Sequence, residues 1–507
     1  MVEGGSKGRV KMINLIDGLF SKIIKQYRSI PVVAKASLWF VACTMLQKCI
    51  AFITVPIFTR IMPTEQYGLY STYLSWYNIL TVFCTLNMHS VVYVNDYTKA
   101  DTKKEKDEVA VPLLSLSAVI TIGIFLLYVI FHSFLNKLIG MPFVLVCLLF
   151  IQILFEPPVL FWGMQQRFEY RYIKMVAQTL SMVIFNAVLG ILFVWIASAN
   201  EAIARSCSIV LVQVIFGSFF YLYFWKSGKK VFSTKGWKHA LNVELPLLPH
   251  SLSLTILGSS DRIMIRNMVG AAEAGIYSVA YSAGVVVNVL KKSIVDALKP
   301  WLYQKIKEQD YGLIRSTVNI VMVLVTFISA VFIALAPEII FIMAPVQYHE
   351  AVYVIPPVAA SSYFTFLYNI FSIVGMYYEK TKKIMVASVS GAVLNLVLNV
   401  ICINLFGYIA AAYTTLICYM FFAFAHYIIM RLICREYLNN IEIYDMKFII
   451  ILSIIVVLMS IIFTFTYGNM LIRYLIIAII CTAAFWKRNL FISSIRELKK
   501  GKKKGKA

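Results

Sequence analysis

The chain has 507 residues, 60% of them hydrophobic and 14% charged, with a mean hydropathy of +0.79. A soluble protein carries about 25% charged residues, so a water-facing surface of ordinary size is excluded. Its 47 Lys and Arg against 24 Asp and Glu leave +23, but the basic segments are short loops between apolar runs, which argues against a nucleic-acid partner.

Residues 8–28 place Ile13, Ile16, Phe20, Ile23 and Tyr27 at helical spacing among basic residues, which suits a helix lying on a lipid surface or else a plain solvated tail. Apolar runs follow at 37–59, 71–94, 110–134, 142–164, 173–196 and 206–225. A polar connector at 226–240 carries five lysines. Eight further runs lie near 242–259, 276–298, 314–336, 351–377, 384–404, 408–430, 448–466 and 470–486. A membrane-crossing helix needs about 20 apolar residues. The runs are continuous rather than alternating, which favours helices over a barrel. The expected fold class is therefore an all-α polytopic membrane protein of about fourteen transmembrane helices.

If the runs are spans, 40 of the 47 Lys and Arg fall in loops or at span ends on one side, six on the other, and Lys48 alone lies deep inside a span. Cytoplasmic loops carry this excess, so both termini are expected in the cytoplasm. The first apolar run is too long for a signal peptide and no A-x-A-like site follows it, so it reads as span one. The nine cysteines show no CxxC or metal-ligand spacing and read as small buried hydrophobes.

Residues 68–75, GLYSTYLS, match residues 275–282, GIYSVAYS, at an offset of 207. Both copies open spans running in the same direction, six spans apart, which predicts parallel repeats. The expected organisation is a basic N-terminal segment (1–35), a six-helix lobe (36–225), the connector (226–240), a second six-helix lobe (241–433), two added helices (434–486) and a basic tail (487–507).

Three motifs carry a resemblance. The first is Val55-Pro56-Ile57-Phe58-Thr59-Arg60, continuing to Gly68-Leu69-Tyr70. The second is Leu245-Pro246-Leu247-Leu248-Pro249-His250-Ser251, then Ser259-Ser260-Asp261-Arg262 and Gly275-Ile276-Tyr277-Ser278. The third is Asn395-Leu396-Val397-Leu398-Asn399 with Gly407 and Ala410-Ala411-Ala412. The chain resembles the polysaccharide transporter (O-antigen flippase) family of the multidrug/oligosaccharidyl-lipid/polysaccharide exporter superfamily. The resemblance implies a cofactor-free, non-enzymatic flippase in the bacterial cytoplasmic membrane. It would move isoprenoid-diphosphate-linked oligosaccharides to the outer leaflet for surface polysaccharide synthesis, by rocking of two lobes. The implied partners are that lipid-linked substrate, membrane lipids and other polysaccharide-assembly proteins.

Charged residues within spans are costly and usually face a cavity or a partner. Lys48 is thus a substrate-cavity candidate, meeting a diphosphate or acidic sugars, or else a lysine paired with an acid of another span. Lys291 and Lys292 extend that basic lining or snorkel to the interface. Arg60 ends span one and lines the cavity or anchors the interface. His89, near Asn87 and Ser90, and His250, beside Ser251 and Ser253, are further cavity candidates, the alternative for His250 being an interhelical histidine. Pro246 and Pro249 are hinge candidates, expected inside span seven.

Ion coupling needs a carboxylate that loads and releases a cation. Span one holds none, unlike the drug-exporting relatives; of the acids in or at the ends of spans, Glu156, Asp261 and Asp296, the candidates are Glu156, just before Pro157-Pro158, and Asp261. Glu156 has an alternative use as the partner of Lys48, and Asp261 an alternative as an outer interfacial pair with Arg262. Tyr70, Tyr73, Trp76 and Tyr77 offer rings for sugar contact. No nucleotide-binding signature is present, so energy is expected from an ion gradient, the membrane potential or downhill flow. An ion-coupled exporter of small molecules and a membrane-embedded polymerase or sugar transferase are the competing readings. The first wants acids in the cavity; the second wants a sizeable catalytic loop.

Overall fold

A computed structural model of the protein describes residues 31–197, 199–228 and 231–486. The expected interfacial helix at 8–28 and the basic tail lie outside them. Among the described residues there is no strand. The helices are α1 (Val32–Ile61), α2 (Thr64–Thr85), α3 (Val92–Lys99), α4 (Lys103–Ile130), α5 (His132–Ile139) and α6 (Phe143–Phe168). Then come α7 (Tyr172–Ile196), α8 (Glu201–Ser227), α9 (Thr234–Glu244), α10 (Leu248–Met268), α11 (Ala271–Lys307) and α12 (Tyr311–Ala334). The short α13 (Ala336–Met343) and a 3-10 turn (Val346–Tyr353) lead into α14 (Ile355–Tyr377), α15 (Thr381–Phe406), α16 (Ala410–Tyr437), α17 (Met446–Thr466) and α18 (Met470–Trp486).

Ten described helices are long and apolar enough to cross a membrane, and α11, bent by 41° between Ala271–Gly284 and Val287–Lys307, makes eleven. The helices α2 and α10 are poorer in apolar residues because Tyr, Ser and Thr fill them, and much of that polar surface is buried in protein rather than facing lipid. Four of the helices entered from loops on the Lys- and Arg-rich side are capped by a polar side chain. Thr102 and Glu105 form a reciprocal capping box on α4. Ser233, Asp310 and Asp445 accept the N–H of Gly236, Leu313 and Phe448 on α9, α12 and α17. Each such cap is worth about 1 kcal/mol.

Two boundaries differ from those read in the sequence. The run at 71–94 is broken, because Leu86 and Asn87 take φ of 49° and 53°, a left-handed stop to α2. The run at 242–259 is broken at residues 245–247, so Pro246 sits in the turn and Pro249 in the first turn of α10. There its missing N–H frees no carbonyl, and the expected mid-span proline kink is absent. What lies before the turn is α9, which packs on α3 and α4. Its Trp237 donates to Pro112 O at 3.0 Å and its Glu244 carboxylate accepts from Val92 N at 3.1 Å.

Helices α1 to α8 pack mainly on one another, and α10 to α17 likewise; the main bridges between the groups are α2 against α11 and α10, and α1 against α11. The two groups approach tightly at the repeated glycines, at the end of the bundle poor in Lys and Arg. A Cβ on Gly68 would stand 1.6 Å from Ala271 O, and one on Gly275 would stand 2.5 Å from Thr64 O. Thr64 and Ala271 are separated by the same offset as the two glycines. The contact is therefore reciprocal, as around a local two-fold axis. Nearby, Thr59 donates to Met343 O at 2.8 Å, and Tyr67 meets Tyr348 edge-on at 6.0 Å between ring centres.

Candidate functional site

A cavity of about 320 Å³ lies among α1, α2, α7 and α8, with Ser282 of α11 closing it from the other group. Lys48 lines it on the α1 side. Opposite is Arg205, which the sequence placed in a loop but which stands one turn inside α8 and is only 7% exposed. Its Nη1 donates to Asn186 O at 2.9 Å and Ser208 Oγ at 3.0 Å. Its guanidinium lies 4.4 Å from the Phe58 ring and 5.5 Å from that of Tyr70. Room for it comes from Gly190, where a Cβ would stand 2.3 Å from that Nη1. Neither cation has a carboxylate within ion-pair distance among the described residues, and no acid lines the cavity. Two cations without a counterion thus share a wall of amides, hydroxyls, rings and aliphatic side chains, Ile50, Val55, Leu74 and Ile209 among the last.

Gln47, Val183 and Asn186 also line a neighbouring cavity of about 380 Å³, which contains His89, Glu156 and Arg167. Glu156 is held by Tyr77 and by Thr81, whose hydroxyl donates at 3.3 Å. The alternative pairing of Glu156 with Lys48 does not form. Pro157 and Pro158 set its position. Pro158 has no N–H for Leu154 O, and the Tyr221 hydroxyl takes that carbonyl at 2.8 Å, while Gln213 takes Phe155 O at 3.1 Å. Tyr221→Phe is expected to leave one carbonyl unpaired and cost about 1–3 kcal/mol, measurable as earlier thermal unfolding in detergent. An unchanged transition would remove Tyr221 from this role.

In the second group, Asp261 is 2% exposed and does not pair with Arg262. Its carboxylate accepts from Tyr277 at 2.6 Å, Thr415 at 2.8 Å and Asn399 at 2.8 Å. Asn395 links Ser260 to Thr415, and Thr414 donates to Asn399. The second and third sequence motifs thus meet in one buried polar cluster. Arg262 instead bonds Gly258 O and covers the Tyr281 ring at 4.6 Å.

Lys291 does not snorkel. It is buried and, with exposed Lys292, lines a third cavity of about 420 Å³. His250 lines none of these cavities; its Nδ1 bonds Ser388 Oγ at 2.8 Å, the interhelical alternative. Arg60 lies outside them too, held by Pro56 O at 2.8 Å and Ile342 O at 3.3 Å. Of the four aromatic candidates, Tyr70 faces the Lys48 cavity, whereas Tyr73 and Trp76 bond Gln152 and Ile139 O inside the fold. Sequence reasoning missed Arg205 as a cavity residue and gave Tyr277, Asn395 and Asn399 no chemical role.

A search of curated protein sequences finds no match. Among solved structures, the chain is similar to "Lipid II flippase MurJ, inward closed conformation" at 15% identity and TM-score 0.65, covering 90% of this chain and 100% of that one. It is also similar to an inward-facing multidrug resistance MATE family transporter of the MOP superfamily, at 14% identity and TM-score 0.55, covering 78% and 97%. These likenesses show a shared fold. The family model described as "Polysaccharide biosynthesis protein" matches residues 33–305, more than half of the chain. The chain therefore belongs to the polysaccharide biosynthesis protein family.

Proposed function

We propose that the chain flips isoprenoid-diphosphate-linked oligosaccharides from the cytoplasmic to the outer leaflet for O-antigen, capsule or exopolysaccharide synthesis. Two six-helix lobes, 36–225 and 241–433, alternate access around the cavities between and within them. In this reading the basic loops and both termini face the cytoplasm, and the Gly68–Gly275 crossing closes the outer side. One observation carries it: Lys48 and Arg205 stand in one cavity with no acid. A diphosphate needs that charge, and an exporter of organic cations needs the reverse. Each charge-assisted hydrogen bond to the diphosphate is worth about 1.5–3 kcal/mol, enough to offset the cost of about 2.5–3.5 kcal/mol for placing a cation in the membrane. Depleting the protein from cells should leave isoprenoid-linked oligosaccharide on the inner leaflet and strip the surface of its glycan. Unchanged surface glycan and unchanged precursor would refute the reading.

Asp261 is proposed as the coupling carboxylate, with Glu156 as the second candidate. Asp261→Asn keeps the size of the side chain and loses about one hydrogen bond, about 1–3 kcal/mol. A folded D261N protein should transport without response to an imposed Na⁺ or proton gradient. A gradient response equal to that of the parent would take Asp261 out of coupling. No catalytic step is proposed.

A further inference from the structure

Lys291 is an unusual lysine. It is 3% exposed, and its Nζ donates to Ser329 Oγ at 2.9 Å and Ser362 Oγ at 2.5 Å. An ammonium has three N–H groups, and no acceptor for the third lies within reach among the described residues. No carboxylate lies within ion-pair distance either. Ser329 spends its own proton on Val325 O, so it serves the lysine as an acceptor. Burying a cation against neutral hydroxyls alone is costly, and an anion arriving in the cavity would recover that cost.

The walls say which anion. The cavity is about 420 Å³ and offers the neutral polar groups Asn288, Ser361, Thr365 and Asn369. Tyr281 and Tyr368 add ring faces. Amides and hydroxyls beside aromatic faces suit a pyranose, whose edges hydrogen-bond while its C–H face packs on a ring. Lys292 and Asp296, both exposed, lie on the same wall. With Asp296 there, the cavity has at most one excess positive charge, enough for a monoanion. The doubly anionic diphosphate is better served by the acid-free cavity of Lys48 and Arg205. The two sites lie on different sides of α11, marked by adjacent residues: Tyr281 faces the Lys291 cavity and Ser282 the other.

We propose that the Lys291 cavity is a glycan subsite that takes a carboxylate-bearing sugar of the uronic acid class. The substrate is then a lipid-linked oligosaccharide with an acidic residue, a statement that rests on the flippase reading. The test uses the full chain in proteoliposomes with two matched isoprenoid-diphosphate oligosaccharides, one with a glucuronic acid and one with glucose in its place. The parent should move the acidic lipid about ten- to a hundredfold faster, the worth of one charge-assisted hydrogen bond. Lys291→Met should erase that preference and Lys291→Arg should retain part of it. Ser362→Ala, a milder change, should narrow it. Lys48→Met should slow both lipids alike. Equal rates for the two lipids with the parent protein, or an equal fall for both with Lys291→Met, would overturn the subsite while leaving the flippase reading intact. Failure of the parent to move either lipid would overturn the flippase reading, and this subsite with it.

Discussion

Gly68→Ala is expected to reduce transport about five- to 150-fold, because the added methyl forces α2 and α11 apart. The new carbon would stand 1.6 Å from Ala271 O, whereas carbon and carbonyl oxygen approach to about 3.3 Å. The obstacle is backbone, so no rotamer change relieves it. Overpacking of this kind costs about 1–3 kcal/mol, and a two-state equilibrium shifts by that factor. The state described here holds the two helices in contact, so the variant should populate the state in which they separate. Spin labels at the exposed residues Glu65 and Ile342 should report a longer distance in G68A. By the reciprocity of the repeat, Gly275→Ala should act in the same direction with a smaller effect, since its methyl would stand 2.5 Å from Thr64 O. Unaltered label distances in both variants would mean that this crossing does not set the equilibrium.

Arg205→Met should lower transport about a hundredfold or more with little loss of folded protein. Methionine fills much of the volume beside Phe58 and Tyr70 and removes an uncompensated charge. Deleting a buried cation that pairs with no acid relieves a desolvation cost, so the fold should gain rather than lose. Transport should fall because the diphosphate loses a bidentate partner, which a lysine's single point of charge does not replace. Arg205→Lys should therefore recover only part of the rate. Gly190→Ala, which crowds Nη1, should resemble a mild form of the same defect. Vesicle transport rates beside thermal unfolding curves separate these outcomes. A stable, fully active R205M protein would remove the residue from the site.

How much of this was legible in the sequence depended on what each signal measured. Lys48 was visible because a single charge interrupts an apolar run. Arg205 was not: α8 begins at Glu201, five residues before the apolar run, so an interior cation was read as a loop cation. Adjacent residues misled for a geometric reason. Neighbours on a helix point about 100° apart, so Asp261 reaches Asn399 and Thr415 as well as Tyr277 while Arg262 covers Tyr281, and Lys291 is buried where Lys292 is exposed. The motif residues Asn395 and Asn399, one turn apart on one face, were noticed as pattern, but nothing in the sequence announced that Asp261 was their partner. The repeat at Gly68 and Gly275 is visible as matching octets that open α2 and α11. That its glycines touch one another is a fact of tertiary packing that no local pattern encodes.

The most direct test of the central claim is leaflet transfer of an isoprenoid-diphosphate oligosaccharide by the purified chain in proteoliposomes, read by an enzyme that modifies only the lipid on one side. The account predicts transfer that requires the protein and falls steeply in both Lys48→Met and Arg205→Met. A folded parent protein that leaves the lipid where it was placed, or cation-free variants that move it at the parent rate, would contradict it.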